Sequence, residues 1–250
     1  MTDDPNRSSS TAFPGATSDG DAPSGASTIR HAATVVVMRP SAAGRQIYMV
    51  RRSAKSPFMP STLVFPGGRL DPEDGPPDDD RSWEGAARRE CQEEIGLGLT
   101  DLDLRWFDTW LTPSAESRRR YLARFFLVEL QAGEGSEAEA DGFETHEGRW
   151  ATAAEHLAAW EAEQVDLPPP TVSVLLRLAA AEAEGLDGML EVDPRAPILP
   201  KVIAVDNEVV IMLPHDPAYD DAPGEAAPAP SRVQTFPARF GRRGQRWCPS

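Results

Sequence analysis

With 250 residues, 40% of them hydrophobic and 26% charged, the chain is long enough for one sizeable domain with extensions and apolar enough to bury a core. Its formal net charge of -15 opposes contact with nucleic acid and with anionic membrane surfaces, so neither is expected as a partner. Cys91 and Cys248 are too few and too far apart for a disulfide framework or a thiolate zinc site, no apolar run reaches the ~18 residues that cross a bilayer, and the N-terminus lacks signal-peptide character, so a cytoplasmic protein is expected.

Residues 1–28 are rich in Ser, Gly, Pro, Asp and Ala and nearly lack large apolar side chains. Burial there cannot repay the entropy of ordering, and a disordered tail is expected. Order is expected from Ala32, where the β-branched AATVVVM, the turn-like RPSAAGRQ and the extended IYMV spell a hairpin. STLVFPGG reads as a short strand running into a Gly-Gly turn. From Trp83 to Ile95, the residues Trp83, Ala87, Cys91 and Ile95 recur every fourth position, which puts them on one helical face toward a core. LDLRWFDTWL and RYLARFFLVEL supply two further strands. After the acidic GEGSEAEADG, the segment GRWATAAEHLAAWEAE reads as the end of a strand entering a helix. PPPTVSVLLRLAAAEAEG opens on proline, keeps apolar helical spacing and closes on glycine, the asymmetry of a helix. KVIAVDNEVVIML has two apolar runs about Asp206 and Asn207, which spell a hairpin. No fixed-period repeat is present. DPAYDDAPGEAAPAPS resembles a linker, and the last twenty residues carry Arg232, Arg239, Arg242, Arg243 and Arg246 with no Asp or Glu. Composition favours a linker and a mobile, solvated basic tail over residues 216–250, with contact to a substrate anion, to a partner or to the acidic body as alternatives.

In RRECQEEIGL, residues 88–97, Glu90, Glu93 and Glu94 stand three and four positions apart, within an arc of about 100° on a helix. Like charges at that spacing repel, so either solvent or a cation must accommodate them. Magnesium is a hard cation that takes carboxylate, phosphate and water oxygens, and a glutamate face beside a cleft suits it. Glu90 meets glutamates at both the third and the fourth positions on, which speaks for a cation. Arg89 can pair with Glu93, which speaks for a solvated face. Helix reasoning by itself leaves the two level.

FPGG at 65–68 and RECQEEIGL at 89–97 together resemble the Nudix box, whose pattern is Gly, five residues, Glu, seven residues, then Arg-Glu-apolar-X-Glu-Glu-X-Gly-apolar. Arg89, Glu90, Cys91, Glu93, Glu94, Gly96 and Leu97 match the second half, and Gly68 matches the opening. Gly68 and Arg89 are 21 positions apart, seven more than the pattern spans. Counting forward from Gly68 puts Asp74 at the expected Glu; counting back from Arg89 puts Arg81 there. The filler LDPEDGPPDDDRSW reads as a loop whose acidic run is solvated. With RS and FMP upstream of VFPGG, the stretched box resembles the Nudix branch that includes the peroxisomal coenzyme A diphosphatases. WLTPSAESRRRYLARFFL, DGFETHEGRW, LPPPTVSVLLRLA and LPHDPAY extend that resemblance over about residues 30 to 220. Arg52, Ser53 and Val64 keep positions of the coenzyme A signature, while Pro57 and Ser61 stand where the signature has Arg and Gly.

The resemblance implies an α/β fold, a Nudix-type α/β/α sandwich with a mixed central sheet plus a C-terminal helix and hairpin, occupying residues 29–215. It implies a metal-dependent hydrolase that cleaves the diphosphate bond of a nucleoside diphosphate linked to another moiety. Coenzyme A or an acyl-coenzyme A is the preferred substrate, with ADP-ribose or a dinucleotide next; a non-catalytic Nudix-like ligand-binding module and an isomerase on the same scaffold are the readings from other classes. Glu90, Glu93 and Glu94 would coordinate Mg2+ or Mn2+, the Gly68 carbonyl would add a ligand, and Arg89 would orient Glu93 or a neighbouring carboxylate. Glu144, six residues before Trp150, resembles the placement of a further metal-binding or base glutamate in some Nudix enzymes, with Glu147 as its competitor. Arg52, Arg119, Arg120 and Arg124 are candidates to hold substrate phosphates, since a guanidinium offers them a planar fork of donors. No histidine has ligand spacing, and Cys91 reads as a packed thiol. The expected partner is a small nucleotide-derived substrate, with a homodimer left open.

Overall fold

The computed structural model describes residues 29–56, 59–113, 120–142, 145–206, 208–231, 233, 236–243 and 246–250; the tail expected over 1–28 lies outside them. Strand β1 (Ile29–Ser41) returns through a two-residue turn as β2 (Gly44–Arg52), with Met38 opposite Ile47. This is the hairpin that the β-branched run and the turn signal called for. The short β3 (Leu63–Val64) lies on β2, and β4 (Gly67–Arg69) pairs antiparallel with β1. Helix α1 (Asp80–Ile95) follows, then β5 (Arg105–Leu111) and β6 (Arg120–Glu129), which pair antiparallel. β6 also runs parallel to β1 along its length, from Ile29 opposite Arg120 to Met38 opposite Glu129, and this makes the sheet mixed. β7 (Thr145–Thr152) closes on β2, giving seven strands in all.

Successive residues of a strand face opposite sides of its sheet, and the central strands use both. Val36, Met38, Ile47, Met49, Phe125 and Leu127 enter one core; Val35, Val37, Tyr48, Val50, Phe126 and Val128 enter the other. Burying each such side chain stabilises the fold by roughly 1.5–3 kcal/mol. Helix α1 covers the second core with Trp83, Ala87, Cys91 and Ile95, each at most 1% exposed. The first core is covered by α2 (Ala153–Glu161), which starts in a Thr152/Glu155 capping box, and by α3 (Pro169–Glu184), which opens on prolines and stops at Gly185. Helices on both faces of a mixed sheet are the α/β/α architecture expected. A four-residue helix, α4 (Asp187–Leu190), follows. Among the described residues no helix is long and apolar enough to cross a membrane.

The C-terminal region departs from expectation. The hairpin of β8 (Lys201–Val205) and β9 (Glu208–Met212) is continued by β10 (Arg239–Arg243) and β11 (Arg246–Pro249) into a four-stranded antiparallel sheet. Thus the described residues between 216 and 250 include two strands and buried aromatics where a linker and a solvated tail were expected. Phe236, Phe240 and Trp247 are buried in the first core, Phe236 stacks on Trp110 with ring centroids 6.2 Å apart, and the Trp160 indole N–H donates to the Trp247 carbonyl at 3.1 Å. Lys201 Nζ donates to the carbonyls of Tyr219 at 2.6 Å and Ala222 at 2.7 Å, pinning the Pro-rich stretch. Arg239 forks onto Asp216. Three aromatics outweigh a composition dominated by Pro, Ala and Arg.

Candidate active site

The rotation of α1 is fixed at both ends and along its length. Asp79 caps the start by accepting from the Arg81 N–H at 3.0 Å, and Gly96 ends the helix with φ +68°, its N–H on the Gln92 carbonyl. With the Trp83-to-Ile95 stripe facing the sheet, Glu90 and Glu94 are turned toward β4, and Glu93 is turned outward. Glu94 is only 5% exposed, and its Oε2 accepts from the Gly67 N–H at 2.9 Å. The side chain of Glu93 is 61% exposed.

Both glycines of the FPGG turn are needed for close approach. Gly67 has φ +151°, and a Cβ there would lie 2.3 Å from the Ala33 carbonyl oxygen on β1. A Cβ on Gly68 would lie 2.3 Å from Oε1 of Glu90. Only a residue without a side chain lets the strand and the carboxylate meet there.

Arg89 links these groups. Its Nη1 donates to Glu90 Oε1 at 2.9 Å and to Glu93 Oε2 at 3.1 Å. Its Nε and Nη2 fork onto Asp74, at 3.1 and 2.8 Å, and Nη2 also donates to the Arg69 carbonyl at 2.8 Å. The Arg89 hydrogen bond, more than burial opposes it, holds the Asp74 carboxyl below its ordinary range, and Asp74 in return is the largest influence raising the Arg89 guanidinium's pKa. The position reached by counting forward from Gly68 is therefore the one that closes the box. Reading the inserted loop as solvated missed this. The forward count was the available signal, since the insertion lies after Asp74.

The donor set suits a hard divalent cation: two glutamate carboxylates, Glu90 and Glu94, lie against the Gly67–Gly68 backbone, with Glu93 joined to Glu90 through one guanidinium nitrogen. Among the described residues no three acidic, His or Cys side chains are gathered as a finished metal cage.

The arginine candidates divide differently from expectation. Arg120 is turned inward, its Nε on the Thr112 carbonyl at 2.8 Å and its Nη2 2.7 Å from Glu225, so it ties β6 to the C-terminal region. Arg124 lies between the rings of Trp83 and Trp106, 4.1 and 3.9 Å from their centroids, and pairs with Asp80 at 2.6 Å. Internal partners thus hold both guanidiniums in this structure. Arg52 contacts Ser56 Oγ through Nε and Nη2 at 3.2 and 3.0 Å. Arg119 and Glu144 lie outside the described residues. Glu147, the competitor of Glu144, pairs with Arg51 at 3.1 Å. Cys91 is fully buried, and burial first, then the charge of Glu94, pushes its thiol up to about 12, which leaves it without nucleophilic thiolate.

A family model described as the NUDIX domain matches residues 29–169. A Caenorhabditis elegans protein named "Putative nudix hydrolase 7" is 27% identical over 214 residues, covering 71% of this chain and 70% of that protein. The chain is also similar to the crystal structure of a NUDIX hydrolase from Alicyclobacillus acidocaldarius, with a TM-score of 0.57 and 26% identity over 67% of this chain and 99% of that one.

Proposed function

Because the chain belongs to the Nudix family and is a hydrolase acting on pyrophosphate bonds, we propose that its substrate is coenzyme A or an acyl-coenzyme A, cleaved at the carboxylates of α1. The observation that carries this placement is the convergence of Glu90 and Glu94 on the Gly67–Gly68 backbone, with Arg89 bound to Glu90 and Glu93 at once. Glu90, Glu93, Glu94 and the Gly68 carbonyl are the proposed ligands of Mg2+ or Mn2+, which when bound neutralises diphosphate oxygens and lowers the pKa of the attacking water.

The protein's own part is positioning and proton transfer. Arg89 is a positioning residue: it fixes Glu90 and Glu93 from one nitrogen, while the fork on Asp74 fixes the guanidinium plane. Glu94 is oriented by the Gly67 N–H, from which its Oε2 accepts. Glu144 is the proposed general base, by its resemblance to the placement of such a glutamate six residues before Trp150 in some Nudix enzymes. Water adds to one phosphorus, its proton goes to the base, and the bond from the bridging oxygen to that phosphorus breaks to give two phosphate monoesters.

Coenzyme A is favoured by the turn before β3. Ser61 stands where the coenzyme A signature has glycine, and its φ of +62° is the left-handed conformation that glycine favours, so the turn keeps its shape without its usual residue. Pro57, in place of the signature's Arg, favours the second reading, ADP-ribose or a dinucleotide. Products separate the two. With Mg2+ or Mn2+, coenzyme A should give 3',5'-ADP and a phosphopantetheine, whereas ADP-ribose would give AMP and ribose phosphate. Glu94→Gln, which keeps the acceptor and removes the charge, should lower kcat by roughly a thousandfold. Unaltered turnover in both Glu93→Gln and Glu94→Gln would refute the site.

A further inference from the structure

Directly beyond Gly68 the surface opens into a cleft of about 400 Å3, within the size range of small-molecule sites. Its lining comes from three places. Arg30 and His31 begin β1, Arg69 ends β4, and Asp71, Pro72 and Pro77 belong to the loop that stretches the box. Antiparallel pairing puts Ala32 opposite Arg69 and the Leu70 N–H on the His31 carbonyl at 3.0 Å, which brings the two arginines to one rim.

Charge sets this cleft apart. The chain carries a net -15, yet neither Arg30 nor Arg69 has a hydrogen-bond, ion-pair or ring partner for its guanidinium among the described residues. The one carboxylate in the lining, Asp71, lies 3.7 Å from Arg89, so the lining itself holds two arginines against one aspartate. His31 packs edge-on against Trp83 with ring centroids 5.2 Å apart, and burial together with the charge of Arg124 lowers its pKa, so the ring is neutral near pH 7 and offers one N–H. The loop wall is stiff: the Trp83 indole donates to the Pro77 carbonyl at 2.9 Å, and Asp74 accepts from the Asp71 N–H at 2.8 Å while held by Arg89. The group that positions the carboxylates of α1 thus also anchors the wall of the cleft.

We propose that this cleft receives a second anionic group of the substrate, a phosphomonoester distinct from the diphosphate, held between Arg30 and Arg69 with the inserted loop as its outer wall. The proposal rests on reading the adjoining carboxylates as the diphosphate site. A phosphomonoester carries about -1.5 to -2 charge and three strong acceptor oxygens, which two guanidinium forks match. A neutral ribose would leave both arginines unmatched. The insertion in the box and the preference for coenzyme A, which bears such a group on its ribose, are then one feature.

Two measurements test this. By calorimetry without divalent metal, 3',5'-ADP should bind about tenfold or more tightly than 5'-AMP, and the double variant Arg30→Gln/Arg69→Gln should abolish the difference. Equal binding of the two nucleotides by the unaltered protein overturns the proposal. With Mg2+, the ratio of kcat/KM for coenzyme A to that for 3'-dephospho-coenzyme A should fall about tenfold in the same variant; an unchanged ratio overturns it. Inorganic phosphate that competes with 3',5'-ADP only at the same sites supports the cleft as the seat, whereas phosphate binding beside an indifferent coenzyme A ratio shows a site for free anion and overturns the substrate assignment. Absence of turnover with every diphosphate refutes the catalytic reading of α1, while the nucleotide calorimetry still decides the cleft.

Discussion

On the α1 face of the central sheet, Ala33, Val35 and Val37 meet Trp83, Ala87 and Cys91, and the polar groups stand at the rim of that contact: Glu90, Glu93, Arg89 and Asp74. On the opposite face, Val36, Met38 and Ile47 meet α2, α3 and the second sheet, and the polar groups are sealed inside: His156, Asp108 and Arg177 are at most 8% exposed. Both faces draw on the same alternating strands, yet Arg89, Glu90 and Glu93 keep part of their surface in solvent while His156, Asp108 and Arg177 keep almost none. A rim charge is free to change partners, whereas a sealed one serves its single native geometry. Substitutions at the first face should therefore be read in turnover, and those at the second in stability.

The sharpest way to break that division is Asp108→Ala. Asp108 is fully buried, with Oδ2 accepting from Arg177 Nη1 at 3.1 Å and from the Trp110 indole at 3.2 Å. Truncation takes the buried carboxylate from the Arg177 guanidinium, which keeps the Met189 carbonyl and lies beside the rings of Phe107 and Phe236. Chemical denaturation should show a loss of about 3–5 kcal/mol, while turnover per folded molecule stays near that of the unaltered protein. A large fall in kcat with an unmoved denaturation midpoint would show that the sealed face takes part in the chemistry.

His156 sharpens the same contrast through pH. Its Nε2 lies 3.1 Å from the Ile47 carbonyl and its Nδ1 3.4 Å from Arg149, a pattern met by a neutral ring carrying its proton on Nε2. Burial is the main reason its pKa falls from 6.5 to about 4. Between those two values the unfolded chain takes up a proton that the folded protein refuses, so this contribution is lost progressively as pH falls from 6.5 to about 4, by roughly 3 kcal/mol. His156→Gln should flatten that part of a stability-against-pH curve. A curve of unchanged slope in the variant would assign the acid sensitivity to other groups.

The parts of the molecule legible in the sequence are those with a local period. Trp83, Ala87, Cys91 and Ile95 mark α1 because one helical face must be apolar, and the same stripe already places Glu90 and Glu94 on a shared side. The runs in β1, β2 and β6 are legible for the corresponding reason in strands. Phe236, Phe240 and Trp247 are not, because what buries them, Trp110 and Trp160 among others, is far away in the chain and leaves no periodic trace. Arg120 and Arg124 show the same limit at the level of charge. An arginine's sequence neighbours do not disclose that Glu225, or Asp80 and two indoles, will occupy it.

Asp74→Asn tests the one residue that belongs to the box by position and to the fold by contact. Its side chain is 7% exposed and takes two bonds from Arg89, so asparagine keeps the size and one acceptor but removes the charge and half of the fork. Stability should fall by about 1–2 kcal/mol, less than for Asp108, because the site lies at the rim and water can enter. Turnover should fall about tenfold, since Arg89 then positions Glu90 and Glu93 less firmly. The pH dependence carries its own sign. The Arg89 bonds hold the folded Asp74 carboxyl below 3.8, its unperturbed value, so the contribution is fully present above that value and disappears as pH drops through the depressed folded one. The stability gap between the unaltered protein and the variant should thus be flat from about pH 8 to 5 and shrink in stronger acid. A gap that widens in acid, or activity that survives the substitution intact, would mean that the stretched box is closed by something other than this pair.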